Sequence, residues 1–115
     1  MRKILLADDD LSMVALLKTL LTLEGYQVET LLDKSGDILE NIRQANPDVL
    51  LIDIFLGDRN GLEIVRLIRQ MPDLKRLMII MASGVDKTED CLTAGADAFL
   101  LKPYMPKELF DILGS

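Results

Sequence analysis

The first side chains that point to chemistry are four carboxylates directly after short apolar runs: Asp8, Asp9, Asp10 and Asp53. Carboxylates within ~4–6 Å repel one another unless a cation is bound between them. Mg²⁺ is typically held by one or two carboxylates together with waters and phosphate oxygens. We expect Asp9 and Asp53 to bind such a cation directly, and Asp8 to bind it through water. Helix capping and simple solvation are the alternative roles of Asp8 and Asp10.

A hydroxyl and an ammonium group follow two further apolar runs, at Ser83 and Lys102. Next to a metal-bound carboxylate, these groups suit a phosphoryl group, because its oxygens accept charge-assisted hydrogen bonds. The cation and the lysine would neutralise the charge that spreads over those oxygens during transfer. Ser-Gly and Lys-Pro pairs are by themselves ordinary loop features. Their combination with the carboxylates, each after a different run, predicts phosphoryl chemistry.

The apolar runs have the pattern of strands that are buried on both faces of a parallel sheet, since they are short and do not alternate with polar residues. They cover residues 4–7, 28–32, 49–52, 78–81 and 98–101. Each is followed by a stretch with the 3.6-residue apolar spacing or the end signals of a helix. These stretches cover residues 11–24, 35–45, 62–70, 87–94 and 107–113. Asp10 is predicted to cap the first helix and Gly25 to end it.

This alternation predicts an α/β fold in which right-handed crossovers place helices on both faces of a parallel sheet. Ligands of such sheets bind beyond the carboxyl ends of the strands, where the strand order reverses. The carboxylates, Ser83 and Lys102 would therefore meet in one crevice. The length of 115 residues, without a linker or repeat, predicts a single domain over residues 1–115.

Composition excludes several other classes of site. One cysteine cannot form a disulfide within the chain, and the lack of histidine excludes Cys/His zinc sites and histidine-dependent catalysis. The formal net charge of −6 argues against direct nucleic-acid binding, which requires clustered Lys and Arg. No apolar run reaches the ~18–20 residues that span a bilayer. We expect a cytoplasmic domain with no membrane contact.

The order and spacing of these motifs resemble the receiver domain of two-component response regulators over essentially the whole chain. The resemblance rests on residues 4–10 (ILLADDD), 48–53 (DVLLID), 60–63 (NGLE) and 94–103 (AGADAFLLKP). It implies a flavodoxin-like, doubly wound sheet of five strands in the order 2-1-3-4-5. It also implies a signalling module rather than an enzyme, although one that assists its own phosphorylation and dephosphorylation.

The resemblance also implies a role for each residue of the crevice. Asp53 would accept a phosphoryl group from the phosphohistidine of a histidine kinase or phosphotransfer protein. Asp8, Asp9 and Asp53 would bind Mg²⁺ (or Mn²⁺), with the backbone carbonyl of Phe55 as a further ligand. Lys102 would bind the phosphate.

Two further residues take the places of the family's switch pair. Ser83 would bind the phosphate and, on phosphorylation, be drawn toward it, and Phe99 would then turn inward. The alternative is that Phe99 lies in the core in both states. The fourth helix, fifth strand and fifth helix would present the result to an effector or to a second copy in a homodimer.

The sequence departs from the family pattern near the phosphoacceptor. Gly57 stands where proline is usual, and the stretch 83–102 is about three residues shorter, nearly one helical turn. We therefore expect a short or shifted fourth helix. Phe55 and Val85 stand where side chains influence attack by water, and neither can orient a water by hydrogen bonding. They predict slow autodephosphorylation.

The sequence is also compatible with two other functions. One is a receiver-like module that docks without being phosphorylated. The other is a phosphatase of the haloacid-dehalogenase type, because residues 8–12 (DDDLS) fit the pattern D-x-D-x-S after a first strand. That class usually needs a longer chain and a second acidic motif late in the sequence, and it leaves Asp53 and Lys102 without a role.

Overall fold

Five parallel strands form the central sheet of this computed structural model, which describes residues 2–31 and 36–114. The strands of the chain are β1 (Lys3–Ala7), β2 (Gln27–Thr30), β3 (Val49–Asp53), β4 (Phe55–Leu56), β5 (Arg59–Asn60), β6 (Met78–Ser83) and β7 (Ala98–Leu101). The helices are α1 (Leu11–Leu23), α2 (Ile38–Ala45), α3 (Gly61–Arg69), α4 (Thr88–Ala94) and α5 (Pro106–Leu113), with a 3-10 turn at Pro72–Leu74. The sheet order is β2-β1-β3-β6-β7, which confirms the predicted flavodoxin-like α/β fold.

The sheet separates two apolar cores, because successive side chains of a strand point to opposite faces. One core packs under α2, α3 and α4, and the strands contribute Leu5, Ala7, Leu50, Ile52, Ile79 and Met81 to it. The other packs under α1 and α5, and the strands contribute Ile4, Leu6, Val49, Leu51, Ile80, Ala82 and Leu100 to it. The prediction of strands buried on both faces is confirmed for β1, β3 and β6. It is wrong for the two edge strands: β2 is only half-buried or exposed, and of β7 only Leu100 is buried.

The helix ends follow the predicted signals. The side chain of Asp10 accepts a hydrogen bond from the Met13 amide at 3.1 Å, and Gly25 follows α1 with a φ of +96°. Helix α4 has 7 residues, which confirms the expectation of a short fourth helix. The predicted start of the second helix at Ser35 and the predicted end of the second strand at Leu32 lie outside the described residues. Among the described residues, no helix has the length and apolar character that a membrane span requires.

Two features were not predicted. Residues 55–60 form the antiparallel hairpin β4–β5, one residue after Asp53, with Gly57 in its turn. Arg69 is the second feature: its guanidinium donates to the carbonyls of Gly95 and Leu77 and pairs with Asp97 at 3.0 Å. Arg69 therefore ties α3 to the residues that precede β6 and β7.

Candidate functional site

Lys102 joins two carboxylates at the carboxyl ends of the central strands. Its Nζ donates to Oδ2 of Asp53 at 2.7 Å and to Oδ2 of Asp8 at 2.8 Å. The three side chains are mostly buried, with 20% of Lys102, 11% of Asp8 and 13% of Asp53 exposed. They come from the residue after β1, the last residue of β3 and the residue after β7, so the sheet order brings together groups far apart in sequence.

The charge of Lys102 is held firmly in this setting. Burial alone would lower the pKa of its ammonium group, but the hydrogen bonds to Asp53 and Asp8 and their negative charges outweigh that effect. The pKa of Lys102 is therefore raised above its ordinary value. Lys102 stays protonated at neutral pH and can present a positive charge to a phosphoryl oxygen.

The backbone after β3 fixes the carboxylate of Asp53. The Phe55 amide donates to Oδ1 of Asp53 at 3.2 Å, and the Ile54 amide donates to the carbonyl of Ala82 on β6 at 3.0 Å. Helix α3 begins next to the residue that follows β3, because the Gly61 amide donates to the carbonyl of Ile54 at 2.6 Å. The backbone around Asp53 is thus held by its own strand β3, by the neighbouring strand β6 and by the first residue of α3.

Asp9 is directed toward the β4–β5 turn. Its Oδ2 accepts a hydrogen bond from the backbone amide of Gly57 in the β4–β5 turn. In the described ranges, 2–31 and 36–114, no three acidic or cysteine side chains form a preassembled metal cluster. The donor chemistry still fits a hard divalent cation. Asp8, Asp9 and Asp53 with the single ammonium of Lys102 leave two negative charges, and Mg²⁺ needs only one or two carboxylates besides water and phosphate.

The predicted switch residues lie next to this site. Ser83 at the end of β6 is fully buried, and its Oγ accepts from the Val85 amide at 3.2 Å. In the described part of the chain, no side-chain hydrogen bond joins Ser83 to Asp53 or Lys102. Phe99 on β7 is half-buried and packs against the core under α2, α3 and α4.

The two predicted lifetime-tuning side chains are on the surface. Phe55 is 61% exposed and Val85 is 57% exposed, although their backbone amides donate to Asp53 and Ser83. Each therefore stands at the mouth of the crevice and not inside it.

Sequence reasoning did not predict the positions of two polar groups in this region. The Gly57 amide is one, although Gly-Asp between two strand-forming pairs is a known hairpin signal. The phenol of Tyr104 is the other: it is buried beside the α1 and α5 core with no hydrogen-bond partner among the described residues. Burial, helped by the charge of Asp8, raises the pKa of Tyr104 to about 12, so the phenol stays neutral.

Known proteins are similar to this chain in sequence. The family model described as the response regulator receiver domain matches residues 4–114. The chain is 34% identical over 111 residues to the phosphate regulon transcriptional regulatory protein PhoB of Rhizobium meliloti, covering 93% of this chain and 48% of PhoB. It is 32% identical over 108 residues to the DNA-binding response regulator MtrA of Mycolicibacterium smegmatis, covering 94% of this chain and 47% of MtrA. The chain thus spans about half the length of these curated relatives.

Solved structures agree over almost the whole chain. The chemotaxis response regulator CheY4 of Vibrio cholerae superposes with a TM-score of 0.87 at 29% identity, covering 99% of this chain and 97% of CheY4. The receiver domain of the sensor histidine kinase PA1611 from Pseudomonas aeruginosa superposes with a TM-score of 0.82 at 28% identity, covering 99% and 98% of the two chains. That structure has a magnesium ion coordinated in its active-site cleft. From the match over residues 4–114 and these relatives, the chain belongs to the response regulator receiver domain family.

Proposed function

We propose that Asp53 is the phosphoacceptor of this receiver domain and that residues 1–115 form one such domain. The observation that carries the proposal is the pair of short hydrogen bonds from Lys102 to Asp53 and Asp8. An ammonium group held against two carboxylates at a switch point is placed to bind a phosphoryl oxygen as negative charge arrives.

The transfer itself requires only positioning and charge compensation. A carboxylate oxygen of Asp53 forms a bond to phosphorus while the bond between phosphorus and the donor's histidine nitrogen breaks, and the freed imidazole nitrogen keeps the electron pair. Lys102 and the hydroxyl of Ser83 bind the phosphoryl oxygens. The domain is thus a phosphoacceptor that assists its own phosphorylation rather than an enzyme acting on other substrates.

A divalent cation completes the charge balance. Asp8, Asp9, Asp53 and the backbone carbonyl of Phe55 would hold Mg²⁺, and Mn²⁺ has the same preference for oxygen ligands. When bound, the cation neutralises charge on the phosphoryl oxygens. The presence of magnesium in the cleft of the similar PA1611 receiver domain supports this assignment.

The partners follow from this chemistry. Residues 1–115 contain no histidine, so the phosphohistidine lies outside them, on a histidine kinase or phosphotransfer protein that we place in the cytoplasm. The surface of α4, β7 and α5 would contact an effector or a second copy. Exposed Leu92 on α4 and Leu101 on β7 provide apolar contact area there. Direct nucleic-acid binding is not expected of a domain with a net charge of −6.

Chemical phosphorylation tests the proposal. The chain is incubated with acetyl phosphate and Mg²⁺, and the acyl phosphate is reduced with borohydride and located by mass spectrometry. We expect label at Asp53 and none in Asp53→Asn. Label at Asp8 would instead support the phosphatase, which the fit of residues 8–12 to D-x-D-x-S had suggested. Failure to bind beryllofluoride with Mg²⁺ would support a docking module that is not phosphorylated.

The phosphorylated state is expected to be long-lived. Phe55 and Val85 flank the crevice and neither side chain can hold an attacking water by hydrogen bonding. Phe55→Asn and Val85→Glu should each shorten the half-life of the acyl phosphate by about tenfold, because a positioned polar group assists attack by water. The half-life is measured by loss of label from the phosphorylated chain. Unchanged or longer half-lives would show that these two positions do not control hydrolysis.

Phe99 is expected to report phosphorylation. The Oγ of Ser83 accepts from the Val85 amide, and a turn of Ser83 toward a phosphoryl group would change the packing beside β7, where Phe99 lies. Fully burying a Phe side chain is worth about 1.5–3 kcal/mol, enough to couple the two events. The ring resonances of Phe99 should shift when beryllofluoride and Mg²⁺ are added. Resonances that do not move would place Phe99 in the core in both states.

A further inference from the structure

The turn of the β4–β5 hairpin reaches back to the acidic site. Gly57 has a φ of +63°, and its amide donates to Oδ2 of Asp9. A Cβ atom at position 57 would lie 3.6 Å from the same oxygen, so the carboxylate lies directly against the turn. A residue without an amide hydrogen, such as proline, could not make this contact.

The hairpin is also fixed at its base. Phe55 pairs with Asn60 and Leu56 pairs with Arg59. The side chain of Leu56 is fully buried, and Arg59 donates to the carbonyl of Gly36 at 2.7 Å. Since the base is held by packing and by Arg59, the bond to Asp9 mainly determines the position of the tip.

We propose that the Gly57 amide and a divalent cation compete for the carboxylate of Asp9, so that cation binding releases the hairpin tip. This inference rests on the proposed function, which assigns Asp9 to the cation. Asp9 does not form a cluster with Asp8 and Asp53 in the described residues, so its carboxylate must turn away from the hairpin to join them. The amide offers a partial positive charge to the oxygen that the cation needs.

Two consequences follow from this competition. The affinity for the cation is lower than it would be without the amide, because an existing hydrogen bond must break first. Occupancy of the cation site also becomes visible at the hairpin, whose residues Arg59 and Asn60 line a groove with residues of α2 and α3. The hairpin tip is thus a positioning element for Asp9 that distinguishes the metal-free from the metal-bound site.

Amide hydrogen exchange of the whole chain labelled with ¹⁵N-glycine tests this directly. We expect saturating MgCl₂ to speed exchange of the Gly57 amide about tenfold, the loss of one hydrogen bond. The Gly95 amide, which donates to the carbonyl of Cys91 at the end of α4, should not change. A Gly57 amide whose exchange is the same with and without Mg²⁺, while resonances near Asp53 shift, overturns the competition but leaves the cation site intact. Absence of any Mg²⁺-dependent shift overturns both.

Removing only the donor provides an independent measurement. Chemical ligation with glycolic acid at position 57 replaces the amide N–H by an ester oxygen and leaves the turn otherwise the same. The dissociation constant for Mg²⁺, measured by calorimetry, should fall about tenfold. The matched ester at position 84 is the control, since the Gly84 amide donates to no acceptor among the described residues. A constant for the Gly57 ester that is unchanged or higher overturns the proposal.

Discussion

Gly61→Ala is expected to destabilise the domain by about 3 kcal/mol, the upper end of the range for an overpacked site. A Cβ atom at position 61 would overlap the carbonyl oxygen of Asp53 and lie 2.9 Å from the Cα of Ile54. Both are backbone atoms, so no side chain can rotate to make room. Either α3 moves away from the end of β3 or Asp53 moves with its carbonyl.

The same substitution should impair phosphorylation more than its effect on stability alone explains. Displacement of a reacting group by about 1 Å can reduce a rate about 100-fold. We expect a loss of that size in the rate of labelling by acetyl phosphate, measured where urea unfolding curves show that the variant is folded. A labelling rate equal to that of the wild type would mean that α3 yields and Asp53 does not.

Gly84→Ala is the matched control for this experiment. Gly84 lies close to the same crevice, one residue after Ser83, but a Cβ atom there would have no neighbour within 4 Å. The backbone of Gly84 is not in the left-handed region, so alanine is also free of strain. We expect its stability and labelling rate to stay close to those of the wild type. A large effect of Gly84→Ala would mean that any added atom near the crevice is harmful, whatever it contacts.

These two glycines illustrate how far sequence reasoning reaches. The apolar runs predicted the central strands β1, β3 and β6, because a strand that is buried on both faces of a sheet leaves a local signature. The position of Asp53 at the end of such a run predicted where its carboxylate lies. Nothing local predicted that the start of α3 would approach the carbonyl of Asp53, since that contact depends on the path of the intervening hairpin.

Long-range polar contacts were the other part that the sequence did not reveal. Arg69 bonds to Gly95 and Asp97, which lie 26 and 28 residues further along the chain. Periodicity places Arg69 on the outer side of α3 but cannot name its partner. The direction of Asp9 is a similar case. Its adjacency to Asp8 predicted that both carboxylates would meet Asp53. In the structure, the Gly57 amide in the unpredicted β4–β5 turn donates to Asp9 instead.

Lys102→Met is expected to slow phosphorylation of Asp53 about 100-fold, as loss of one preorganised donor to a developing charge typically does. Met retains the length and much of the volume of the side chain but removes its charge. It also leaves Asp8 and Asp53 facing each other without the ammonium group that now lies 2.8 and 2.7 Å from them. The rate is measured with acetyl phosphate and Mg²⁺. A rate within a few-fold of the wild type would remove Lys102 from the phosphate site.

The matched control for this substitution is Lys107→Met, because Lys107 is 82% exposed on α5 and pairs with Asp111 on the same helix. An exposed pair of this kind contributes about 0.3–0.5 kcal/mol and does not touch the crevice. We expect its labelling rate to equal that of the wild type. If both lysine variants are labelled equally slowly, the cause is general attraction of acetyl phosphate by positive charge. A specific contact from Lys102 would then not be needed.

The pH dependence of stability separates the structural part of Lys102 from its role in transfer. The pKa of Lys102 is raised in the folded chain, so its charge stabilises the fold fully below the unfolded value of about 10.4. That contribution is lost only as the pH rises through the still higher folded pKa. Titration of Lys102 should therefore not change the difference in unfolding free energy between the wild type and Lys102→Met between about pH 7 and 9. A decline across that range would mean that Lys102 loses its proton there and cannot serve as a fixed positive charge for the phosphoryl group.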